Sequence, residues 1–140
     1  MKYERILAPL KQDATDELVV EHVTSLARLS GGRVTVLHVV HSHSRDETVY
    51  MEEQAAAYLR RWEARLAGQG VPADSRVVQG EPADAITAIA DELRADLIVM
   101  ATHGHSEVRH VLVGSVTEDV VRNGHAPVLL ARPLTDQPIG

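Results

Sequence analysis

The sequence predicts one α/β domain: an open, mostly parallel five-stranded sheet with helices on both faces. Three observations carry this expectation. Strand-like apolar runs alternate with helix-like stretches along the chain, which is the signature of repeated βαβ units. The strand candidates are almost continuously apolar, as they must be when both faces of a sheet are covered. A chain of 140 residues suits one domain and can bury a core of its own.

Arg5 to Leu10 reads as the first strand. Asp13 to Leu29 follows as a helix, with Leu18, Val19, His22, Val23, Leu26 and Leu29 recurring at three and four. Thr15 is its expected N-cap and Gly31-Gly32 its stop. Arg33 to Val40, rich in β-branched residues, is the second strand. After the polar stretch His41–Asp46, a second helix runs to about Ala67. Its stripe is Met51, Ala55, Tyr58, Leu59, Trp62 and Leu66, and Gly68-Gln69-Gly70 ends it. Ser75 to Gln79 is a short third strand. Pro82 then opens a third helix, where a missing N–H costs nothing. Its apolar positions are Ala85, Ile86, Ile89, Ala90 and Leu93. Asp96 to Ala101 is the fourth strand, Ser115 to Asn123 the fourth helix with Gly124 as its stop, and Ala126 to Arg132 the fifth strand. The domain is expected over residues 1–133, with 134–140 as a loose tail.

Composition narrows the function. The absence of cysteine removes disulfides, thiolate metal sites and cysteine nucleophiles, and suits a reducing, cytoplasmic setting. The start Met1-Lys2-Tyr3-Glu4-Arg5-Ile6 lacks the long apolar region of a secretion signal, and no run approaches the ~20 residues of a membrane span. A net charge of −6 speaks against a nucleic-acid surface, but not against a small anion held by backbone amides.

In open parallel sheets ligands bind outside the carboxyl ends of the strands. The loop after the fourth strand, Ala101 to Ser115, is the richest candidate. Gly104 and Gly114 would let the backbone approach a ligand, and the helix start at Ser115 leaves unpaired amides at a positive dipole end. Ser115 and Thr117 add hydroxyls, while His105 and Arg109 could reach a phosphate or simply be exposed. Ser115 and Glu118 also have the spacing of a capping box. His103, His105 and His110 recur at no recognisable metal-ligand spacing, so no metal site is expected. His41 and His43 read as solvated, His38 as a satisfied core histidine, and Tyr58 and Trp62 as core rather than a stacking platform. No nucleophile–base–orienter set and no Walker lysine is present, so no catalytic residue is assigned.

These residues resemble the universal stress protein family over nearly the whole chain. ATP-binding members carry Gly-x2-Gly-x9-Gly-Ser/Thr after the fourth strand, and the matching positions are Ala101, Gly104, Gly114 and Ser115. Asp96 to Gly104 is similar to the family's fourth strand. Gly114-Ser115-Val116-Thr117 with Ala126 to Leu130 is similar to its last helix and strand, Arg33 to Val40 to its second strand, and Gly80-Glu81-Pro82 to its third-helix start. The resemblance implies a Rossmann-like fold of the adenine nucleotide alpha hydrolase type. It also implies a site for ATP, AMP or another adenine nucleotide, with magnesium as a companion ion. Val39 would meet adenine through its backbone, and Pro9 and Met100 would flank the crevice. The alternative for these three is ordinary strand-end packing.

Two departures stand out. Ala101 replaces the first glycine of the motif. Lys11 replaces the aspartate that contacts the ribose in ATP-binding members. Charge-assisted bonds of about 1.5–3 kcal/mol each are lost with that aspartate, although a lysine could reach a phosphate instead. Three readings therefore stand side by side. One is a nucleotide-responsive stress regulator, the second an interaction dimer with an empty crevice, and the third a slow ATP hydrolase or self-phosphorylating protein. The resemblance also implies a homodimer through the last strand, Val128 to Arg132, whose apolar edge invites pairing.

Overall fold

A computed structural model describes residues 2–102 and 114–133. Gly104, His105 and Arg109 of the expected site, with His103 and His110, lie outside the described residues, as does the expected tail. The elements are β1 (Arg5–Pro9), α1 (Thr15–Ser30), β2 (Arg33–Val40), α2 (Arg45–Gly68), β3 (Ala73–Gln79), α3 (Pro82–Leu93), β4 (Leu97–Ala101), α4 (Ser115–Asn123) and β5 (Val128–Ala131). They form one sheet in the order β3-β2-β1-β4-β5, and every neighbouring pair is parallel. The expected α/β architecture is therefore present.

Two-residue alternation along the strands divides the core. Ile6, Ala8, Val34, Val36, Leu97 and Val99 pack with Val19, Val20 and Val23 of α1 and Leu59 and Leu66 of α2. Leu7, Leu37, Ile98 and Met100 face the other way, against Ala83, Ile86 and Ile89 of α3 and Val120 of α4. Both faces are covered, which is why the strands read as nearly unbroken apolar runs. Among the described residues no helix is long and apolar enough to cross a membrane.

Three expectations about the helices need correction. Thr15 is the first residue of α1, not its cap. The position before it, Ala14, makes no side-chain cap. The Asp13 carboxylate instead accepts from the Thr15 amide at 2.8 Å and from its hydroxyl. A short carboxylate reaches two residues ahead more readily than a threonine hydroxyl reaches its own first turn. Leu29 does not join the apolar stripe either: it is 85% exposed. The buried face of α1 runs through Asp16, Val19, Val20, Val23 and Ala27, and Leu29 projects away from it in the last turn. Finally, Ser115 and Glu118 form no capping box. The N-cap of α4 is Gly114, one residue earlier, and it has no side-chain cap. Glu118 pairs with Arg122 at 3.7 Å instead.

The remaining starts and stops follow local chemistry. Gly31 ends α1 in the left-handed conformation, φ 72°, and donates to the Ala27 carbonyl. Gly32 then passes so close to the chain before β1 that an added Cβ would lie 2.2 Å from the Tyr3 oxygen. Ser44 caps α2 by accepting from the Glu47 amide at 3.1 Å, so that helix begins at Arg45.

The sheet opens at one place. β1 and β2 stay in register as far as Pro9 and Leu37. β1 and β4 pair only through Ile6–Leu97 and Leu7–Ile98, although both strands run on. Pro9 has no amide hydrogen with which to continue a ladder. Strand order reverses here too, since β2 and β3 lie on one side of β1 and β4 and β5 on the other.

Leu59 is fully buried and Leu29 is not, so truncating each to alanine should have unequal effects. Leu59→Ala is expected to lower unfolding stability by about 2–5 kcal/mol. Leu29→Ala should stay within about 0.5 kcal/mol of the parent. Urea unfolding of both variants checks this.

Candidate functional site

The parting of β1 and β4 leads into a cavity of about 380 Å³. Its floor is the carboxyl end of three strands: Pro9 and Leu10 from β1 and its exit, Leu37, His38 and Val39 from β2, and Met100 and Ala101 from β4. Pro82 and Ile86, one turn apart at the start of α3, form an apolar wall. Gly114, Ser115, Val116 and Thr117 close the far side. Lys11 stands at the β1 exit, and it carries the one formal charge among the described residues that line the cavity.

The α4 end has the features of a helix start, a setting that suits an anion. Its first amide paired within the helix is that of Glu118, which donates to the Gly114 carbonyl at 3.0 Å. The preceding amides, Ser115, Val116 and Thr117, have no backbone partner among the described residues, as at any helix start, where the dipole is positive. Ser115 is exposed and its side chain makes no hydrogen bond among the described residues. Gly114 has φ −71° and ψ 166°, a conformation open to any residue. Backbone geometry alone therefore does not require glycine there.

The β1–α1 loop is held by a buried carboxylate. Asp16, 1% exposed, accepts from the Lys11 amide at 2.8 Å, the Gln12 amide at 2.7 Å and the Tyr58 hydroxyl at 2.5 Å. This lets Gln12 take a positive φ of 66°, and it turns the chain beside the cavity. The Leu10 amide donates to the Leu37 carbonyl at 2.7 Å, and the Leu10 carbonyl accepts from His38 Nδ1 at 2.8 Å. A carbonyl can only accept, so the His38 proton sits on Nδ1, leaving Nε2 as an acceptor in the neutral ring. His38 is thus satisfied as expected, but it is half-buried and lines the cavity rather than the core. Trp62 and Tyr58 pack edge-to-face against the α1–α2 side of the core, away from the cavity.

Nine of the residues expected at the site are described: Pro9, Lys11, Val39, Met100, Ala101, Gly114, Ser115, Val116 and Thr117. All nine line this cavity. Sequence reasoning missed Leu10, Leu37, His38, Pro82 and Ile86, which line it as well. Two-residue alternation from Val39 points to Leu37, and helical spacing from Pro82 points to Ile86. Nothing in the pattern points to His38, whose ring is drawn in by the Leu10 carbonyl.

Residues 2–132 match the universal stress protein family. The chain belongs to that family. Universal stress protein MJ0577 of Methanocaldococcus jannaschii is 25% identical, over 93% of this chain and 95% of that one. Its solved structure superposes with a TM-score of 0.84 over 95% of this chain and 98% of that chain, at 27% identity. A universal stress protein of Methanothermobacter thermautotrophicus is 34% identical over 93% of this chain and 96% of its own length. The universal stress protein from Archaeoglobus fulgidus in complex with dAMP is 25% identical, with a TM-score of 0.71 over 94% of this chain and 99% of that chain.

Against the universal stress protein motif, the two departures have different weight. Ala101 lies inside β4, is buried, and is not among the residues of positive φ, so its methyl group brings no backbone strain. Lys11 alters the charge of the cavity itself. Among the described residues no carboxylate lines it.

Burial raises the Tyr58 hydroxyl from 10.0 to about 12, and its hydrogen bond to Asp16 adds to the shift. The protonated ring is the form the fold prefers. Its contribution is complete below pH 10 and disappears as pH climbs through about 12. Stability should therefore fall over that interval in the parent and fall less in Tyr58→Phe, as read by chemical unfolding at graded pH.

Proposed function

We propose that this universal stress protein binds an adenine nucleotide, ATP or a relative such as AMP, in the cavity at the carboxyl edge of the sheet. Binding would serve regulation in a stress response rather than catalysis. The observation that carries the reading is the cavity's construction. One apolar slot, lined by Leu37, Val39, Pro82 and Ile86, leads to the start of α4, whose first three amides have no backbone partner among the described residues. A planar base favours the first and a phosphate the second. The related Archaeoglobus fulgidus protein, solved in complex with dAMP, supports the same ligand class.

In this reading Val39 meets the base, Pro9 and Met100 flank it, and Ala101 and Gly114 to Thr117 surround the phosphates. Gly104, His105 and Arg109 belong to the same proposal through the family motif. With no carboxylate among the described lining residues, magnesium would arrive on the phosphates of ATP. The protein would act as a cytoplasmic homodimer joined through Val128 to Arg132. β5 is the last strand of the sheet order, and Val128, Leu129 and Leu130 are only half-buried there.

Gly114→Asp tests the site without disturbing the fold. Aspartate is a preferred N-cap and suits the extended backbone of this position. Its carboxylate would occupy the α4 amides and repel phosphate. Calorimetric titration should show ATP or AMP bound by the parent and affinity reduced about 100-fold or more in the variant, with unchanged circular dichroism. Equal affinity would refute the placement, and a parent that binds neither nucleotide would favour an interaction dimer with an empty crevice. Light scattering at micromolar concentration should give a dimer; a monomer alone would count against the edge-strand interface.

A further inference from the structure

Strand order decides where along the cavity a nucleotide's sugar would lie, and a lysine stands at that point. Across the carboxyl edge the order is β2, then β1, then β4, which leads on to the start of α4. The β2 end, with Leu37, Val39, Pro82 and Ile86, is apolar, and the α4 end offers amides. Neighbouring strands lie about 4.8 Å apart, so β2 and β4 are separated by roughly 10 Å. That span suits a mononucleotide laid with its base over β2 and its 5′-phosphate at α4. Its sugar then faces the exit of β1.

The β1 exit presents Pro9, Leu10 and Lys11. The first two have no polar side-chain atom. Lys11 is exposed, makes no ion pair among the described residues, and has its backbone pinned by Asp16 at 2.8 Å. An ammonium has three donors and no acceptor. It cannot take hydrogen bonds from the two hydroxyls of a ribose, as a carboxylate would. It is suited to an anion on the sugar.

On the adenine-nucleotide reading above, we infer that this cavity selects a nucleotide whose ribose carries its own phosphate, at the 2′ or 3′ oxygen. Lys11 is the residue that makes the selection. The ligand class is an adenosine bisphosphate, with one phosphate on the α4 amides and the other on Lys11.

The test titrates the full chain and Lys11→Asp with AMP, ADP, adenosine 2′,5′-bisphosphate and adenosine 3′,5′-bisphosphate. ADP matches the bisphosphates in phosphate number but keeps both groups on the 5′ side. The parent should bind at least one bisphosphate about fivefold more tightly than AMP at low ionic strength, and the advantage should shrink with added salt. In Lys11→Asp the preference should reverse toward AMP, and bisphosphate affinity should fall more than ADP affinity. Whichever of the two bisphosphates shows the gain identifies the oxygen. If the parent treats AMP and the bisphosphates alike, or if the substitution weakens ADP as much as the bisphosphates, Lys11 does not serve the sugar and the inference fails while nucleotide binding stands. If no nucleotide binds the parent, both the inference and the reading beneath it fall.

Discussion

Two parallel strands that begin as partners and then separate make everything else in this molecule possible. β1 and β4 share a ladder only through Ile6–Leu97 and Leu7–Ile98, although β1 runs on to Pro9 and β4 to Ala101. β1 feeds α1 on one face of the sheet, while the chain beyond β4 leads to α4 on the other. A parallel sheet needs crossover helices, and where the crossovers diverge the edge cannot be covered from both sides. The gap receives apolar walls from β2 and α3 because those strands and helices already face it. It receives the first amides of α4, which have no backbone partner among the described residues, because the first N–H groups of a helix lack intrahelical acceptors. No special device is needed to create the cavity, only the strand order.

Keeping the gap open in a defined shape is the work of the β1–α1 loop. Asp16 is a buried carboxylate on the packed face of α1, an expensive place for a charge unless it is fully bonded. Its two oxygens accept from the Lys11 and Gln12 amides and from Tyr58, which satisfies the carboxylate and fixes the turn together. Tyr58 belongs to α2, so the loop beside the cavity is tied to the helix layer behind the sheet. From the other side, Leu10 bonds to Leu37 and His38 of β2. The chain that presents Lys11 is thereby anchored on both flanks, although the lysine side chain itself is exposed.

Much of this was legible in the sequence, and the exceptions share a cause. β2 and α4 begin and end where their residues predict, because a β-branched run and a glycine stop are local signals that tertiary contacts did not override. Leu29 was misread because periodicity alone does not say where a helix runs past the sheet it covers. The capping-box reading of Ser115 failed by one residue, since spacing cannot tell the residue before a helix from the first residue within it. The burial of Asp16 in the first turn of α1 has no local signal, because its partners Lys11, Gln12 and Tyr58 come from a turn and from another helix. Of the lining residues that sequence reasoning missed, Leu37 and Ile86 follow from local spacing, whereas His38 reaches the cavity through a contact with Leu10, distant in the chain. The nine described ones it found sit at strand ends and at a helix start, where open parallel sheets form their crevices, and Pro9, Val39 and Met100 among them came with the family resemblance.

The central claim is that the crevice between β1 and β4 receives an adenine nucleotide with its phosphate on α4. Backbone amide resonances recorded during titration with ATP address this residue by residue. The account predicts that Lys11, Val39, Ser115, Val116 and Thr117 shift in step and saturate together, while Gly32, Arg33 and Asp96 at the opposite edge stay fixed. Shifts confined to that opposite edge, or no shifts at millimolar ATP, would contradict it.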